Sequence, residues 1–151
     1  MAGFRYALQK IVDLKGSEKS MAEWAFAASL GKLRQEEEQL RELNDERERL
    51  ESALESTSSK PVPLSELIAV QRYIDVVDSR IRKQHEDVKA AELAAQKRQK
   101  LLTAKMVDEK VWLNSRERAL ERFRNDRLAK EQNELDEIAI VRAASAARGR
   151  H

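Results

Sequence analysis

The chain has 151 residues, of which 37% are charged and only 5% aromatic, with four glycines, two prolines and a formal net charge of +2. Ala, Glu, Lys, Leu and Arg dominate, a composition that favours long helices with a narrow apolar seam over a globule with a wide core. Cysteine is absent, which excludes disulfides, thiolate chemistry and cysteine metal sites and suits a cytosolic setting.

The first predicted element is a helix over about residues 4–55. Its opening, MAGFRYALQKIVDLKG, is interrupted by Arg5, Lys10, Asp13 and Lys15 and does not read as a signal peptide. The longest uncharged apolar run, WAFAASLG, falls far short of a membrane span. Leu33, Leu40 and Leu54, with Arg47 between, recur every seven residues, and Leu43 and Leu50 follow three residues on. This is the two-row stripe of a coiled coil. Upstream, Phe4, Ile11 and Ala25 form one row and Leu14, Met21 and Ala28 its companion, which predicts a register slip near Ala27–Gly31. Residues 34–55 are acidic, with Glu36, Glu37, Glu38, Glu42, Asp45, Glu46, Glu48, Glu51 and Glu55 against Arg34, Arg41, Arg47 and Arg49.

The second element is a bend over about residues 56–63, in LESTSSKPVPLSEL. Lys60 and Val62 each precede a proline and are held out of the helical region, so the helix breaks there instead of kinking. Pro63 suits the start of a new helix.

The third element is a helix over about residues 64–147. Leu67, Ile74, Ile81, Val88, Ala95 and Leu102 are spaced by seven, with Val70, Val77 and Ala91 three residues behind. Past Leu102 the stripe is expected to shift to Met106, Leu113 and Leu120, then to Leu128, Leu135 and Arg142 beside Ile138. The two stripes match in an antiparallel pair whose partner numbers sum to 124, joining Leu54 to Val70, Leu50 to Ile74, Leu43 to Ile81, Leu33 to Ala91, Ile11 to Leu113 and Phe4 to Leu120. That sum centres the bend on Val62. A sum of 117 also fits the stripes but puts the bend at Thr57–Ser58, before the prolines. The expectation is therefore an all-α fold, a long two-helix antiparallel coiled-coil hairpin forming a single domain over 1–151, with an overhanging C-terminal helix. From about Phe123 the second helix has no intramolecular partner, yet Phe123, Leu128, Leu135, Ile138 and Val141 continue an apolar stripe. A lone helix of this kind is marginal in water, so the persistent stripe reads as a docking surface.

No catalytic constellation is visible, and no cofactor is expected. SLGKL holds a single glycine within a helix and is no phosphate loop. His85, Glu86 and Asp87 are consecutive and fan around the helix instead of converging on a metal. RERALERFRNDRLAK carries Arg116, Arg118, Arg122, Arg124, Arg127 and Lys130, but Glu117, Glu121 and Asp126 dilute it, which argues against nucleic acid. The last stretch, VRAASAARGRH, is basic and reads either as a solvated end or as a tail that meets an acidic partner. Trp24 and Trp112 are expected to pack within the hairpin.

The opening FRYALQKIVDLKGSEKSMAEWAFA, with EEEQLREL, the polar bend, VQRYIDVVDSRIRKQH and the late RLAKEQNELDEIAI, resembles the FliJ family of soluble components of the flagellar type III export apparatus. The resemblance covers nearly the whole chain. It implies a non-enzymatic coiled-coil stalk, similar to the central stalk of rotary ATPases, that couples the FliI-type export ATPase to the FlhA-type export gate and assists export chaperones. It also implies a cytoplasmic location at the inner face of the cell membrane, held there through partners. By the same resemblance the ATPase-contacting end is Phe4, Leu8 and Ile11 with Phe123, Leu128, Leu135 and Ile138. The gate-contacting face is Gln39 and Leu43 with Tyr73 and Val77. The pattern by itself also admits a generic coiled-coil chaperone or adaptor, and it leaves the oligomeric state open.

Overall fold

The computed structural model describes residues 3–58 and 60–149. Among them it holds two α-helices and no strand, α1 over Gln9–Ser58 and α2 over Leu64–Arg148. They pack antiparallel as a coiled-coil hairpin. The chain divides into two compact units, one of Met1–Glu18 with Lys105–His151 and one of Lys19–Ala104.

In the second unit the helices end where local chemistry stops them. Ser56 Oγ and Thr57 Oγ1 bond back to the carbonyls of Ser52 and Ala53, and Lys60 N–H closes on Thr57 O at 3.2 Å. Pro61 and Pro63 then forbid continuation. The Pro63 carbonyl accepts from Glu66 N–H at 3.1 Å, so α2 begins one residue after that proline.

The seam of this unit follows the expected register. Phe26, Leu33, Leu40, Arg47 and Leu54 alternate with Ala22, Ser29, Glu36, Leu43 and Leu50 along α1, and all are buried or half-buried. Facing them on α2 are Leu67, Ile74, Ile81, Val88, Ala95 and Leu102, alternating with Val70, Val77, Gln84 and Ala91. Arg47 Nε donates to Asp78, a pair whose numbers sum to 125. Tyr73–Glu46 and Gln84–Glu36 sum to 119 and 120, because these longer side chains reach one turn along the partner helix.

The expected slip near Ala27–Gly31 does not occur. Stepping back by sevens from Leu33 and Leu50 leads through Phe26, Lys19 and Val12, and through Ala22 and Lys15, and each of these is buried or half-buried. Leu14, Met21 and Ala28 are exposed on the far side of α1, and so is Trp24, at 76%. The hairpin keeps one register because lysine can serve at a seam position: its methylene stem covers apolar surface while its ammonium reaches water or an acid.

In the first unit, α2 likewise does not shift after Leu102. Lys105, Glu109, Trp112, Arg116, Ala119 and Phe123 keep the seam register and are half-buried, while Met106 and Leu113 are exposed. Trp112 thus packs in the seam as expected, and Trp24 does not. Polar pairs take the place of apolar layers here. Lys15 Nζ lies 2.9 Å from Asp108 Oδ2, Lys105 Nζ 3.2 Å from Glu18 Oε2, and Arg116 Nε donates to Gln9 Oε1 at 2.8 Å. The Asp108 bond raises the Lys15 pKa above its ordinary value.

α1 starts at Gln9 and not near Phe4. Residues 3–7 alternate between outward and half-buried positions, with Phe4 and Tyr6 turned to α2. An extended residue advances roughly 3.3 Å against 1.5 Å in a helix. Phe4 therefore reaches Phe123, one turn beyond the expected Leu120, with ring centroids 5.5 Å apart. Tyr6 Oη and Ser115 Oγ share a 2.8 Å hydrogen bond. Replacing Phe4 by Ala should free this segment, since a tilted aromatic pair contributes about 1 kcal/mol beyond its area. Amide exchange at Gln9–Val12 should quicken, with α2 amides unchanged.

Candidate functional site

The first unit ends in an unpaired helix. Phe123 is the last half-buried residue of α2, and every described residue from Arg124 to Gly149 is exposed. The seam positions that follow Phe123 are Asp126, Lys130, Asn133 and Glu137, which could not pack against an apolar helix. The apolar residues have moved. Leu128, two residues past Asp126, lies about 160° around the helix from it at 100° per residue. Leu135 shares that far side, Ile138 lies about 100° from the seam position Glu137, and the side chains of Leu128, Leu135 and Ile138 are 63%, 60% and 50% exposed. Leu120 already stands about 100° round from the seam position Ala119, and the eight-residue step to Leu128 turns the stripe about 80° further. Ile138 and Val141 floor a shallow open groove edged by Glu134, Glu137 and Arg142.

The other residues expected at this end are placed as follows. Phe4 lies on Phe123 with Arg116 over its ring, the guanidinium carbon 5.7 Å from the centroid. Ile11 is half-buried and Leu8 exposed. The Leu8 carbonyl accepts from Ile11 and Val12 N–H at 3.0 and 3.2 Å, opening α1. Phe4, Leu8, Ile11 and Phe123 thus gather beside the paired end of α2, while Leu128, Leu135 and Ile138 stand beyond it on a different face.

The residues expected at the other face fall in the second unit. Gln39 is exposed and Leu43 half-buried, and both line an open groove with Glu42, Glu46, Arg49 and Gln84. Tyr73 is half-exposed, and its hydroxyl donates to Glu46 across the hairpin. That bond raises the Tyr73 pKa above its ordinary value. Val77 is 0% exposed, so it supports this face from beneath and offers no surface of its own.

A polar layer missed by pattern reading crosses the seam beside this groove. Glu36 and Gln84 are each 7% exposed. Gln84 Nε2 donates to the Glu36 carbonyl at 2.9 Å and to Glu36 Oε2 at 2.5 Å, and Lys32 Nζ lies 2.7 Å from Glu36 Oε1. Lys32, then Gln84, holds the Glu36 carboxyl below its ordinary pKa. A lowered folded pKa gives stability that is present above the unfolded value, about 4.3, and is lost as pH falls through the folded one. Glu36→Gln should therefore be less stable than the parent at pH 6, and the gap in urea midpoint should close toward pH 3. A gap independent of pH would remove Glu36 as the titrating group. The signal in the sequence was the polar pair at seam positions in two otherwise apolar rows.

Among the described residues no cluster of His, Cys, Asp or Glu could hold a metal ion. No described helix is long and apolar enough to cross a membrane.

A family model described as Flagellar FliJ protein matches residues 4–148. The Flagellar FliJ protein of Bacillus subtilis (strain 168) is 24% identical over 137 residues, which cover 91% of this chain and 93% of that protein. Among solved structures, that of a putative YscO homolog, CT670 from Chlamydia trachomatis, superposes with a TM-score of 0.69 at 20% identity, covering 99% of this chain and 100% of the other. At that identity the likeness is one of fold.

Proposed function

The chain belongs to the flagellar FliJ family of protein-export components, and from that premise we propose that it is the coiled-coil subunit that couples the export ATPase ring to the export gate. The observation that carries this reading is the unpaired end of α2. Its seam positions from Asp126 to Glu137 are polar, while Leu128 and Leu135 stand opposite them and Ile138 and Val141 carry the exposed apolar stripe back toward the seam side. Such a surface has no use within the hairpin and fits a ring lumen or groove of the FliI-type ATPase. The gate contact of the FlhA type falls to the second unit, where Gln39 and Tyr73 are the accessible members of the face and Leu43 and Val77 hold it in shape. The role is non-enzymatic and transmits conformational state. Export chaperones are further partners. The location is cytoplasmic, at the inner face of the membrane that carries the gate.

Co-purification of the full chain with the export ATPase and the gate's cytoplasmic domain tests the proposal. Two separable contacts are expected, the ATPase lost on changing the end of α2 and the gate lost on changing Gln39 and Tyr73. Loss of both partners with either change would refute a coupling role split between two surfaces.

A further inference from the structure

In the second unit one face of α2 carries a row of cations. On α2, opposite the seam residues Val88, Ala91 and Ala95, stand Arg82, Lys83, Lys89, Lys97 and Lys100, all exposed, with Glu86 the acid among them. Asp87 and Glu92 flank the seam at the edges of this face. None of the five cations forms an ion pair among the described residues. Elsewhere the chain places Arg and Lys beside acids, as in Lys32–Glu36, Arg41–Glu38 and Arg47–Glu51. The outward side of α1 is mixed, with Glu38, Glu42, Asp45 and Glu48 exposed beside Arg34, Arg41 and Arg49. Glu86 stands one turn from Arg82, Lys83 and Lys89, but Lys97 and Lys100 are one turn apart and repel, a cost retained unless something outside neutralises that end of the row.

We propose that this face of α2 adsorbs directly to anionic phospholipid headgroups. From Arg82 to Lys100 the cations run along roughly 27 Å of helix at 1.5 Å per residue, a row suited to a flat polyanionic surface. Leu93, 58% exposed among them, can enter the headgroup region, with Ala90 and Ala104 beside it. Leu93 and, 43% exposed at the edge of the face, Leu101 stand eight residues apart and are too few for a partner helix, which docks through anchors repeated every turn. Nucleic acid is disfavoured because the face is mostly Lys, which binds phosphate as a point charge, and has no aromatic side chain for base stacking. The outward side of α1, where acids and arginines alternate, faces away from the membrane, so the cation row of α2 sets the orientation of this unit. The proposal stands on charge placement alone and does not depend on the coupling role.

Co-sedimentation of the full chain with vesicles tests it. Vesicles of about one-third phosphatidylglycerol in phosphatidylcholine should bind the chain at low salt and release it as salt rises, and pure phosphatidylcholine should not bind. At about fivefold per cation near the surface, the triple change Lys89→Gln, Lys97→Gln and Lys100→Gln should weaken partition about 100-fold. The matched change Arg118→Gln, Arg122→Gln and Arg124→Gln in the other unit should leave partition within a few-fold. Both variants change only exposed residues, and far-UV circular dichroism should show both fully helical. Equal loss in the two variants would reduce the effect to net charge and overturn the proposal. Binding to pure phosphatidylcholine would also overturn it, as would tighter binding to a duplex DNA oligomer at the same salt.

Discussion

A chain ended after Asp126 is expected to lose the ring ATPase while keeping the paired hairpin. The cut removes Leu128, Leu135, Ile138 and Val141 but retains Phe123, and with it the ring contact to Phe4 and the Tyr6–Ser115 hydrogen bond. Burying an aliphatic side chain fully stabilises by about 1.5–3 kcal/mol. Four of them supply roughly 6–12 kcal/mol before the cost of association, enough to decide whether a complex survives purification. Every described residue removed is exposed, so helicity should fall only by their share and the urea midpoint of the remainder should hold. The paired change Leu135→Asp and Ile138→Asp asks the same question without a truncation, and binding should weaken more than 100-fold, about 3 kcal/mol or more. Undiminished binding by either variant would sink docking through the unpaired end.

Val77→Asp is expected to be the most damaging single change in the second unit. Val77 is the largest side chain that is fully buried. Val77→Ala should cost about 2 kcal/mol from lost transfer and the space left behind. An aspartate there would face Arg47, whose guanidinium is already engaged by Asp78 and Glu51, and burying its charge should cost about 4 kcal/mol or more, a large part of the stability of a small domain. A two-helix seam has no second layer to repack, so the loss should appear in full in the urea midpoint. Val76→Asp is the control, since the adjacent Val76 points about 100° away and is exposed, and it should fall within about 0.5 kcal/mol of the parent. A small effect at Val77 would mean that the seam register described for this unit is wrong. Gln39→Ala and Tyr73→Ala then probe gate binding without unfolding the hairpin.

The legible parts of the fold were those written in strong periodicity. Leu67 to Leu102 repeats by seven without exception, and Leu33 to Leu54 does so with one arginine, so the seam of the second unit could be read directly. The failures lie where charged residues occupy seam positions. Following the apolar letters Leu14, Met21 and Ala28 led off the seam and onto the solvent face, because Lys15 and Lys19 do the packing there. The same error after Leu102 mistook Met106 and Leu113 for seam residues. Of the candidate site, the unpaired end was legible from the unequal helix lengths and the persistence of Leu128, Leu135 and Ile138. The sides they occupy were not, since Leu120 stands one residue past the seam position Ala119 and a stripe followed through it is already off the seam.

The sequence by itself determined two helices, the break at Pro61 and Pro63, the antiparallel register and the excess length of α2. These follow from local backbone chemistry and from a seven-residue repeat that any partner must match. Only the tertiary structure decided that Phe4 and Tyr6 leave the helix, that Val77 is buried beneath a face it cannot itself present, and that Glu36 and Gln84 form a closed polar layer. Each of those depends on what lies across the seam. An extended backbone reaches farther than a helical one, a carboxylate is tolerated in a seam only where an amide and an ammonium meet it, and neither fact is written in the residue alone.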